Sequence, residues 1–350
     1  RQAIRALKEE KIYTLLLNPN ASTHENANDD LHKLMFLPTR IDNIQRMIKR
    51  FKLDGILLSF SGQTALDSGI KLHETDFLQS ERCNALTSAK QFGYPVLVRA
   101  ASSFDVCRSR FVSNLEELIP LVNSALAQSS QLLICKSLKG WKKVEYEVVR
   151  DQYDNCIMVC NRENIDPTAP LSDQSIVVVP SQTLSSDEFN LLRSISIKVV
   201  RHLGIVGQCN VQFALNPLSV EYYIIKVNIR LTRSSALASR VTGYPLGYIT
   251  TKLALGMSLI DLKNHITYET YSCFEPTLDC IAIKIPPWDL KQFVQCSHQI
   301  GSSMKSIEVV AISRSFEEAF QKCLRMVDEN FSGFESYERT ITDDVILSKD

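Results

Sequence analysis

The stretch "YYIIKVNIRLTRSSALASR", residues 222–240, begins with the alternation of a β-strand and ends in arginines and serines. A strand that leads into such residues is typical of a site for anions and a metal ion. A lysine, Lys226, stands at its centre. The stretch therefore places a candidate phosphate site at the end of a strand, and Lys226 decides whether that site can work.

The strand before this stretch predicts a hairpin over residues 210–228, whose side chains sort by face because strands have a period of two. One face of the first strand carries Asn210, Gln212 and Ala214. One face of the second carries Tyr222, Ile224, Lys226 and Asn228. If the polar faces coincide, the cluster contains Gln212, Lys226 and Asn228, with Arg230 and Arg233 just beyond. The alternative is a solvated sheet face followed by a surface turn.

Outside the hairpin, helical and strand periods alternate as in α/β proteins. The first region predicts helices over 2–10 and 42–52 and strands over 12–17 and 55–60, a Rossmann-like unit that lacks its first strand. A second region begins with a strand over 94–101 and mixes βα with ββ order, which predicts an α+β lobe. Three Ser-x-x-Glu capping boxes, at Ser113, Ser185 and Ser315, predict the starts of helices.

Length and composition limit the classes of protein. A chain of 350 residues with 45% apolar and 22% charged side chains is typical of a globular protein with two domains. The 39 basic and 39 acidic side chains leave no net field, so we expect no nucleic acid and no membrane among its partners. Arg1 in place of Met suggests that the chain starts inside a longer protein.

The cysteines indicate the compartment. Ten of them are scattered without C-x-x-C pairs, so zinc and a disulfide framework are not indicated and a cytoplasmic location is expected. Cys156 and Cys160, four residues apart in a strand-like segment, are expected to share one face as packed thiols.

Several longer strings resemble carbamoyl phosphate synthetase over residues 2–335. They are "SFSGQTALDSGIKL", "KGWKKVEYEVVRD", "SQTLSSDEF", "RHLGIVGQCNVQFALNP", "IIKVNIRLTRSSALASRVTGYPLGY", "FEPTLDCIAIKIPPWDL" and "IGSSMKS". The chain is similar to the N-terminal, carboxyphosphate-forming half of the large subunit. Within the family, "LVRAA", "SLKGWK" and "RMVDEN" look most like the version in the multifunctional protein of pyrimidine synthesis.

The resemblance implies a Rossmann-like pre-ATP-grasp domain over 1–75, an ATP-grasp domain with mixed α+β lobes over 82–335, and a tail over 336–350. The first ATP-grasp lobe is shorter than in the family by some tens of residues. The implied reaction is the ATP-dependent activation of bicarbonate, with Mg or Mn as the metal. The implied partners are ATP, bicarbonate and other synthetase or amidotransferase domains.

Five positions match functional residues of the family. By resemblance, Arg99 meets the ATP phosphates and Arg230 faces carboxyphosphate. Leu138 fits the apolar wall of the adenine slot, and a leucine there is equally typical of a core residue. Gln212 contacts ATP and, with Asn228, supplies metal ligands.

Other positions depart from the family where its chemistry is concentrated. Lys226 replaces the carboxylate that bridges the metals, Lys143 replaces the acid that holds the ribose, and Gln208 replaces another acid. Leu171 replaces a histidine, and Asp105 and Val106 replace small residues of the glycine-rich loop.

These departures leave three hypotheses open. The first is a synthetase module by descent with impaired or absent carboxyphosphate synthesis. The second is a working ligase of the family that tolerates the changes. The third is a non-catalytic interaction or regulatory protein, a pseudoenzyme. A separate alternative to decay is a tuned site in which Lys226, Arg99 and Arg230 bind ATP or another anion without Mg²⁺.

Overall fold

A computed structural model describes residues 2–18, 31–57, 60, 96–100, 110–126, 132–165, 175–287, 308–328 and 330. Its helices are α1 (Gln2–Glu9), α2 (Ile41–Phe51), α3 (Leu115–Leu126), α4 (Ser186–His202), α5 (Arg233–Thr242), α6 (Leu246–Ala254) and α7 (Phe316–Val327). Its strands are β1 (Leu15–Leu17), β2 (Lys33–Met35), β3 (Val96–Ala100), β4 (Arg110–Val112), β5 (Leu132–Lys136), β6 (Lys142–Arg150), β7 (Cys156–Asn164), β8 (Val177–Val179), β9 (Gly207–Leu215), β10 (Tyr222–Asn228), β11 (Ile281–Ile285) and β12 (Val309–Ser313).

A seven-stranded antiparallel sheet in the order β10-β9-β6-β7-β8-β11-β12 forms the centre of the described molecule. Alternate side chains of β6 and β9 pack with α4 in one apolar cluster. The opposite face packs with α5 and α6 in a second cluster. The sheet is therefore the middle layer of three, and charged side chains within it have little access to water.

Two smaller sheets lie earlier in the chain. β1 and β2 pair in parallel, and β4-β3-β5 form an antiparallel sheet. Helix α1 packs against α6, where the Tyr248 hydroxyl donates to Glu9 at 2.6 Å and Lys252 forms ion pairs with Glu9 and Glu10. The helix at the start of the chain is thus joined to the layer that covers the central sheet.

Two β-bulges change which side chains share a face. In β10, Ile224 lies opposite Phe213 but Lys226 lies opposite Gln212, so Ile225 is an extra residue. Tyr222 consequently packs on the apolar α4 face while Lys226 stays on the polar face. The prediction that Tyr222 and Ile224 share a face with Lys226 and Asn228 was wrong, because period-two counting fails across a bulge.

The second bulge is in β7, where Cys160 lies opposite Glu147 and Met158 lies opposite the next residue, Val148. Cys156 packs in the α4 cluster, whereas Cys160 belongs to the cluster under α5 and α6. The expectation that these two thiols share a face was therefore wrong for the same reason.

The predicted helix starts hold at two of three positions. Ser185 and Glu188 form the full capping box of α4, and Ser315 accepts from the Glu318 backbone N–H at α7. At α3 the cap is shifted by one residue, because Asn114 accepts from the Glu117 backbone N–H at 2.9 Å. The strand predicted over 12–17 is confined to β1. The strand predicted over 55–60 lies partly outside the described residues, and 55–57 are not in a strand.

Candidate nucleotide and metal site

The polar face of β6, β9 and β10 is the candidate site. Cross-strand register places Glu145 opposite Gln212, and Glu147 opposite Asn210. On the next strand pair, Lys226 lies opposite Gln212 and Asn228 opposite Asn210. Side chains directly opposite one another on one face are close enough to interact. The predicted coincidence of the polar residues Gln212, Lys226 and Asn228 is thus present in the hairpin.

On the same face, where β6 meets β7, lies a buried ion pair. Arg162 on β7 is opposite Glu145, and its Nε donates to Glu145 Oε2 at 2.9 Å while Nη2 contacts the same oxygen. Arg162 Nη2 also lies 3.8 Å from Glu147 Oε1. The residues Arg162, Glu145 and Glu147 are 2%, 0% and 1% exposed. Buried charges are tolerated only when paired, so these three groups form one electrostatic unit.

The second carboxyl group of this unit, Glu147, has a pKa raised to about 7. Burial, which disfavours the charged form, is the main cause, while Arg162 and the Gln208 amide oppose the rise. Ser235, in the first turn of α5, also lies within reach, with its Oγ 3.4 Å from Glu147 Oε2. Arg162 thus contacts two carboxyl groups, and burial favours the neutral form of one of them.

Amide side chains connect the ion pair to the surface of the face. Asn210 Nδ2 donates to Glu145 Oε2 at 3.2 Å and to Glu147 Oε1 at 3.0 Å. Asn210 Oδ1 accepts from Gln212 Nε2 at 3.2 Å and from Asn228 Nδ2 at 3.1 Å. The two predicted metal ligands are therefore joined through a third amide.

The substituted positions differ in their surroundings. Gln208 is buried and donates to Glu147, so its amide supplies a hydrogen bond to a carboxyl group. Lys226 is exposed. Lys143, at the start of β6, lies opposite Asn164 and Ala214. Gln208 thus contacts the ion-pair unit inside the protein, whereas Lys226 lies at the surface.

Arg230 is half-buried in the corner between β10 and α5. The helix that follows begins with a capping box in which Thr232 and Ser235 exchange hydrogen bonds. A helix N-terminus favours anions, since its backbone N–H groups carry partial positive charge. Arg230 and the start of α5 thus make this corner the part of the site best suited to an anion.

The predicted adenine slot lies on another part of the fold. Leu138 is half-buried in the loop before β6, where its carbonyl accepts from Trp141 N at 3.2 Å. Nearby, the Lys136 ammonium lies 5.6 Å from the Trp141 ring and 5.1 Å from the Tyr223 ring, and Tyr223 belongs to β10. Loop and hairpin are therefore in contact. Contact of Leu138 with a nucleotide stays a prediction.

The remaining predicted residues are not all described. Arg99 lies on β3, opposite Leu133 of β5. Leu171, Asp105 and Val106 lie outside the described residues. Their assignments stay predictions based on resemblance.

Sequence reasoning missed the buried unit, although a signal was present. "VEYEVV" alternates two glutamates with core residues, and "NREN" continues the apolar run "CIMVC" with an arginine, Arg162, that is itself buried. Alternation alone assigns such charges to a solvent face. Only the register shows that Arg162 and Glu145 lie opposite each other.

The described side chains fit an anion better than a divalent ion. No cluster of three His, Cys, Asp or Glu groups that could hold a metal occurs among them. The two central carboxyl groups are engaged by Arg162, and a cation, Lys226, lies opposite Gln212. Mg²⁺ needs hard oxygen donors in near-octahedral order, and the two predicted ligands, Gln212 and Asn228, each offer one neutral amide oxygen.

Comparison with known proteins identifies the family. Residues 68–262 match the model "Carbamoyl-phosphate synthase L chain, ATP binding domain". The chain belongs to the carbamoyl-phosphate synthase family. Residues 1–91 match the family's preATP-grasp domain, and residues 308–349 match the "Carbamoyl-phosphate synthetase large chain, oligomerisation domain". The resemblance read from the sequence is confirmed.

The relatives are long proteins. Multifunctional protein CAD of Squalus acanthias is 48% identical over 375 residues, covering 95% of this chain and 17% of the relative. Multifunctional protein URA2 of Saccharomyces cerevisiae is 44% identical over 386 residues, covering 99% of this chain and 17% of the relative. The mitochondrial arginine-specific large chain of Schizosaccharomyces pombe carbamoyl phosphate synthase is 45% identical, covering 95% and 32%. This chain thus spans less than a third of the length of each of these relatives.

Solved structures support the same fold. Biotin carboxylase from Campylobacter jejuni superposes with a TM-score of 0.59 at 17% identity, covering 81% of this chain and 72% of its own. L-amino acid ligase from Bacillus licheniformis superposes with a TM-score of 0.65 at 12% identity, covering 93% of each chain. The predicted fold class, a pre-ATP-grasp domain followed by an ATP-grasp domain of mixed α+β lobes, is confirmed. Among the described helices, none has the length and apolar character needed to span a bilayer.

Proposed function

We propose that this chain is a carbamoyl-phosphate-synthase module in which the ATP-dependent activation of bicarbonate to carboxyphosphate is impaired or lost. The position of Lys226 carries the proposal. Its backbone lies opposite Gln212 on the polar face, where the family resemblance implies a metal-bridging carboxylate. The change replaces a ligand with a cation and alters the local charge by two units.

The electrostatic cost of this change is large. Two unit positive charges about 4 Å apart repel by roughly 4 kcal/mol at an effective dielectric constant of 20, so a divalent ion beside the Lys226 ammonium is opposed by at least that energy. That energy corresponds to about three decades of metal affinity. The neighbouring carboxyl groups do not compensate, because Glu145 and Glu147 are buried and paired with Arg162.

Other roles follow the family. Arg99, Leu138 and Gln212 are the proposed contacts for ATP, Gln212 and Asn228 the remaining metal ligands, and Arg230 the contact for carboxyphosphate. We propose ATP and bicarbonate as the ancestral substrates, other synthetase or amidotransferase domains as partners, and the cytoplasm as the location. The alignment with the Squalus relative runs over 375 residues, more than the chain's 350, which supports a shortened segment within this module.

The deciding measurement is the rate of ATP hydrolysis by the native chain with Mg²⁺ or Mn²⁺, with and without bicarbonate. We expect no stimulation by bicarbonate. A Lys226→Glu variant should likewise stay inactive, because the changes at Leu171, Asp105 and Val106 remain and residues that act as a unit are not repaired singly. Bicarbonate-stimulated, metal-dependent hydrolysis by the native chain would establish a working ligase instead.

A second candidate is an anion site that works without metal. The exposure of Lys226 and the half-buried Arg230 at the start of α5 favour it, since an ammonium and a guanidinium together neutralise phosphate. Calorimetric titration of ATP in the presence of EDTA tests it, with Lys226→Met as the charge-free control. Metal-independent binding that is lost in Lys226→Met supports this candidate, and equal heats in both proteins exclude it.

A third role, as a non-catalytic interaction or regulatory pseudoenzyme, predicts binding without chemistry. Capture of a synthetase or amidotransferase partner that is unchanged by Arg230→Ala would support it.

A further inference from the structure

Asn210 occupies the centre of the polar face and uses both ends of its amide. The nitrogen donates to the two buried carboxyl groups, and the oxygen accepts from two other amides. The residue is fully buried. A buried amide that makes four hydrogen bonds has one orientation available, because turning it over would oppose donors to donors.

The neighbouring ion-pair unit of Arg162, Glu145 and Glu147 determines which way the Asn210 amide points. Glu145 carries the charge paired with Arg162, and a carboxylate oxygen accepts hydrogen bonds but does not donate them. The amide nitrogen must therefore face Glu145, and from that position it also donates to Glu147. The carbonyl oxygen is consequently directed toward Gln212 and Asn228.

This orientation determines that of the two neighbouring amides, of which Gln212 is buried and Asn228 half-buried. Gln212 and Asn228 each turn their nitrogen toward Asn210 Oδ1. The oxygen and nitrogen of a planar amide point in directions about 120° apart, so Gln212 Oε1 and Asn228 Oδ1 are not the atoms turned toward Asn210 Oδ1. An oxygen can bind a cation, whereas an amide nitrogen cannot.

We propose that Asn210, held in place by Arg162, Glu145 and Glu147, is the positioning residue that turns Gln212 and Asn228 with their amide oxygens toward the ligand. The inference rests on the proposed function in taking these two residues as ligand contacts. It adds that the described face keeps two oriented oxygen donors, so that Lys226 alone separates it from a three-ligand divalent site.

The first experiment measures the orientation itself and needs no metal. In the native chain, deuterated and labelled with ¹⁵N, the side-chain NH₂ groups of Gln212 and Asn228 should exchange slowly with solvent. Asn210→Leu, a substitution of similar shape, should make both exchange at least about tenfold faster, because each loses a hydrogen bond to Oδ1. Unchanged exchange in a folded Asn210→Leu protein would overturn the proposal.

The second experiment uses Mn²⁺ as the probe. Lys226→Glu should bind Mn²⁺ in calorimetry, and addition of Asn210→Leu or Arg162→Met should weaken that binding about tenfold or more. Asn161→Leu is the matched control, since Asn161 is also buried in the sheet but bonds to Ser181. Equal affinity in Lys226→Glu with and without Asn210→Leu would refute the positioning role.

The two proposals fail in different ways. Bicarbonate-stimulated ATP hydrolysis by the native chain overturns the proposed impairment but leaves the exchange result intact. Fast NH₂ exchange of Gln212 and Asn228 in the native chain overturns the positioning role, whatever the activity. If Arg162→Met does not fold, the Asn210→Leu exchange measurement still decides, because it leaves the ion pair in place.

Discussion

Glu147 is a buried carboxyl group whose titration should be visible in the stability of the whole chain. Burial raises its pKa from the ordinary value to about 7. Between about 4.5 and 7 the native state therefore binds more protons than the unfolded state, so this group stabilises the fold at low pH and its contribution falls as pH rises. Across that window we expect a loss of about 3 kcal/mol in the free energy of unfolding.

Urea denaturation at pH 5, 6, 7 and 8 measures this effect. Other groups also titrate, so the informative quantity is the difference between the native chain and Glu147→Gln, which carries no titratable group. We expect the native chain to lose more stability than the variant as pH rises from 5 to 7. Parallel curves for the two proteins would contradict the assignment.

At the scale of single residues, the sequence predicted side-chain types better than their partners. Gln212, Lys226 and Asn228 were predicted to cluster, because each follows from alternation within one hairpin. Arg162 was not, because its pairing with Glu145 depends on two strands of the sheet meeting in register. Local pattern contains no information on that register until the bulges are known.

The turn between β6 and β7 is held by one carboxylate. Asp151 accepts from the backbone N–H groups of Tyr153 and Asn155, both at 2.9 Å, and from Ser258 and Leu259 of a distant loop at 3.1 and 3.0 Å. We expect Asp151→Ala to lower the free energy of unfolding by about 3 kcal/mol, because several buried donors lose their acceptor.

Thermal or urea unfolding measures the loss of stability in Asp151→Ala, and Asp154→Ala is the matched control. Asp154 lies in the same turn but is exposed, and its ion pairs with Arg150 and Arg201 are open to solvent. Exposed ion pairs contribute little, so the control should lose much less stability. Equal losses in both variants would show that Asp151 has no special anchoring role.

Helix α1 should depend on one lysine of α6. The side chain of Lys252 is 5% exposed and pairs with Glu9 at 3.2 Å and with Glu10. Lys252→Met removes the charge that both carboxylates face, so we expect faster backbone hydrogen exchange in α1 with little change in β6 and β9. Lys198→Met, on the exposed side of α4, should leave α1 unchanged. Slow exchange of α1 in both variants would contradict the prediction.

Among elements, helices and caps were predicted more closely than strands. Ser185 and Glu188 identify the start of α4 because a capping box is a local pattern of four residues. The first cap of α3 was assigned one residue early, since Ser113 and Asn114 are both good caps and only the fold selects Asn114. The predicted strand over 12–17 was longer than β1, because β-strand length depends on pairing with another strand.

For the whole molecule, the proposed impairment predicts weak binding of Mg-ATP. A ligand at a hundred times its dissociation constant adds about 2.7 kcal/mol to stability, whereas one far below that constant adds almost nothing. We expect no measurable shift in the melting temperature at 100 µM Mg-ATP. A clear shift at low micromolar Mg-ATP would contradict the prediction.

The fold class of the whole chain was predicted correctly from the sequence, because long strings such as "RHLGIVGQCNVQFALNP" match one family. The sequence did not predict the surroundings of the substituted site residues equally well. Lys226 and Gln208 both stand where the resemblance implies acids, yet Gln208 is buried against Glu147 and Lys226 is exposed. Two substitutions of similar appearance therefore differ in surroundings that only the three-dimensional arrangement reveals.

The extra residue in β10 determines which single-residue deletions this strand can tolerate. Ile224 lies opposite Phe213, and Lys226 lies opposite Gln212. Phe213 and Gln212 are adjacent residues of β9, so β10 has one residue more than β9 at this point. Deleting Ile225, or Ile224 with Ile225 taking its place opposite Phe213, would leave a regular strand in which the other side chains keep their present faces. Deleting Val227 would instead exchange the face of a residue next to the gap. A single-codon deletion at Ile224 or Ile225 is thus a shortening of this hairpin that preserves the site.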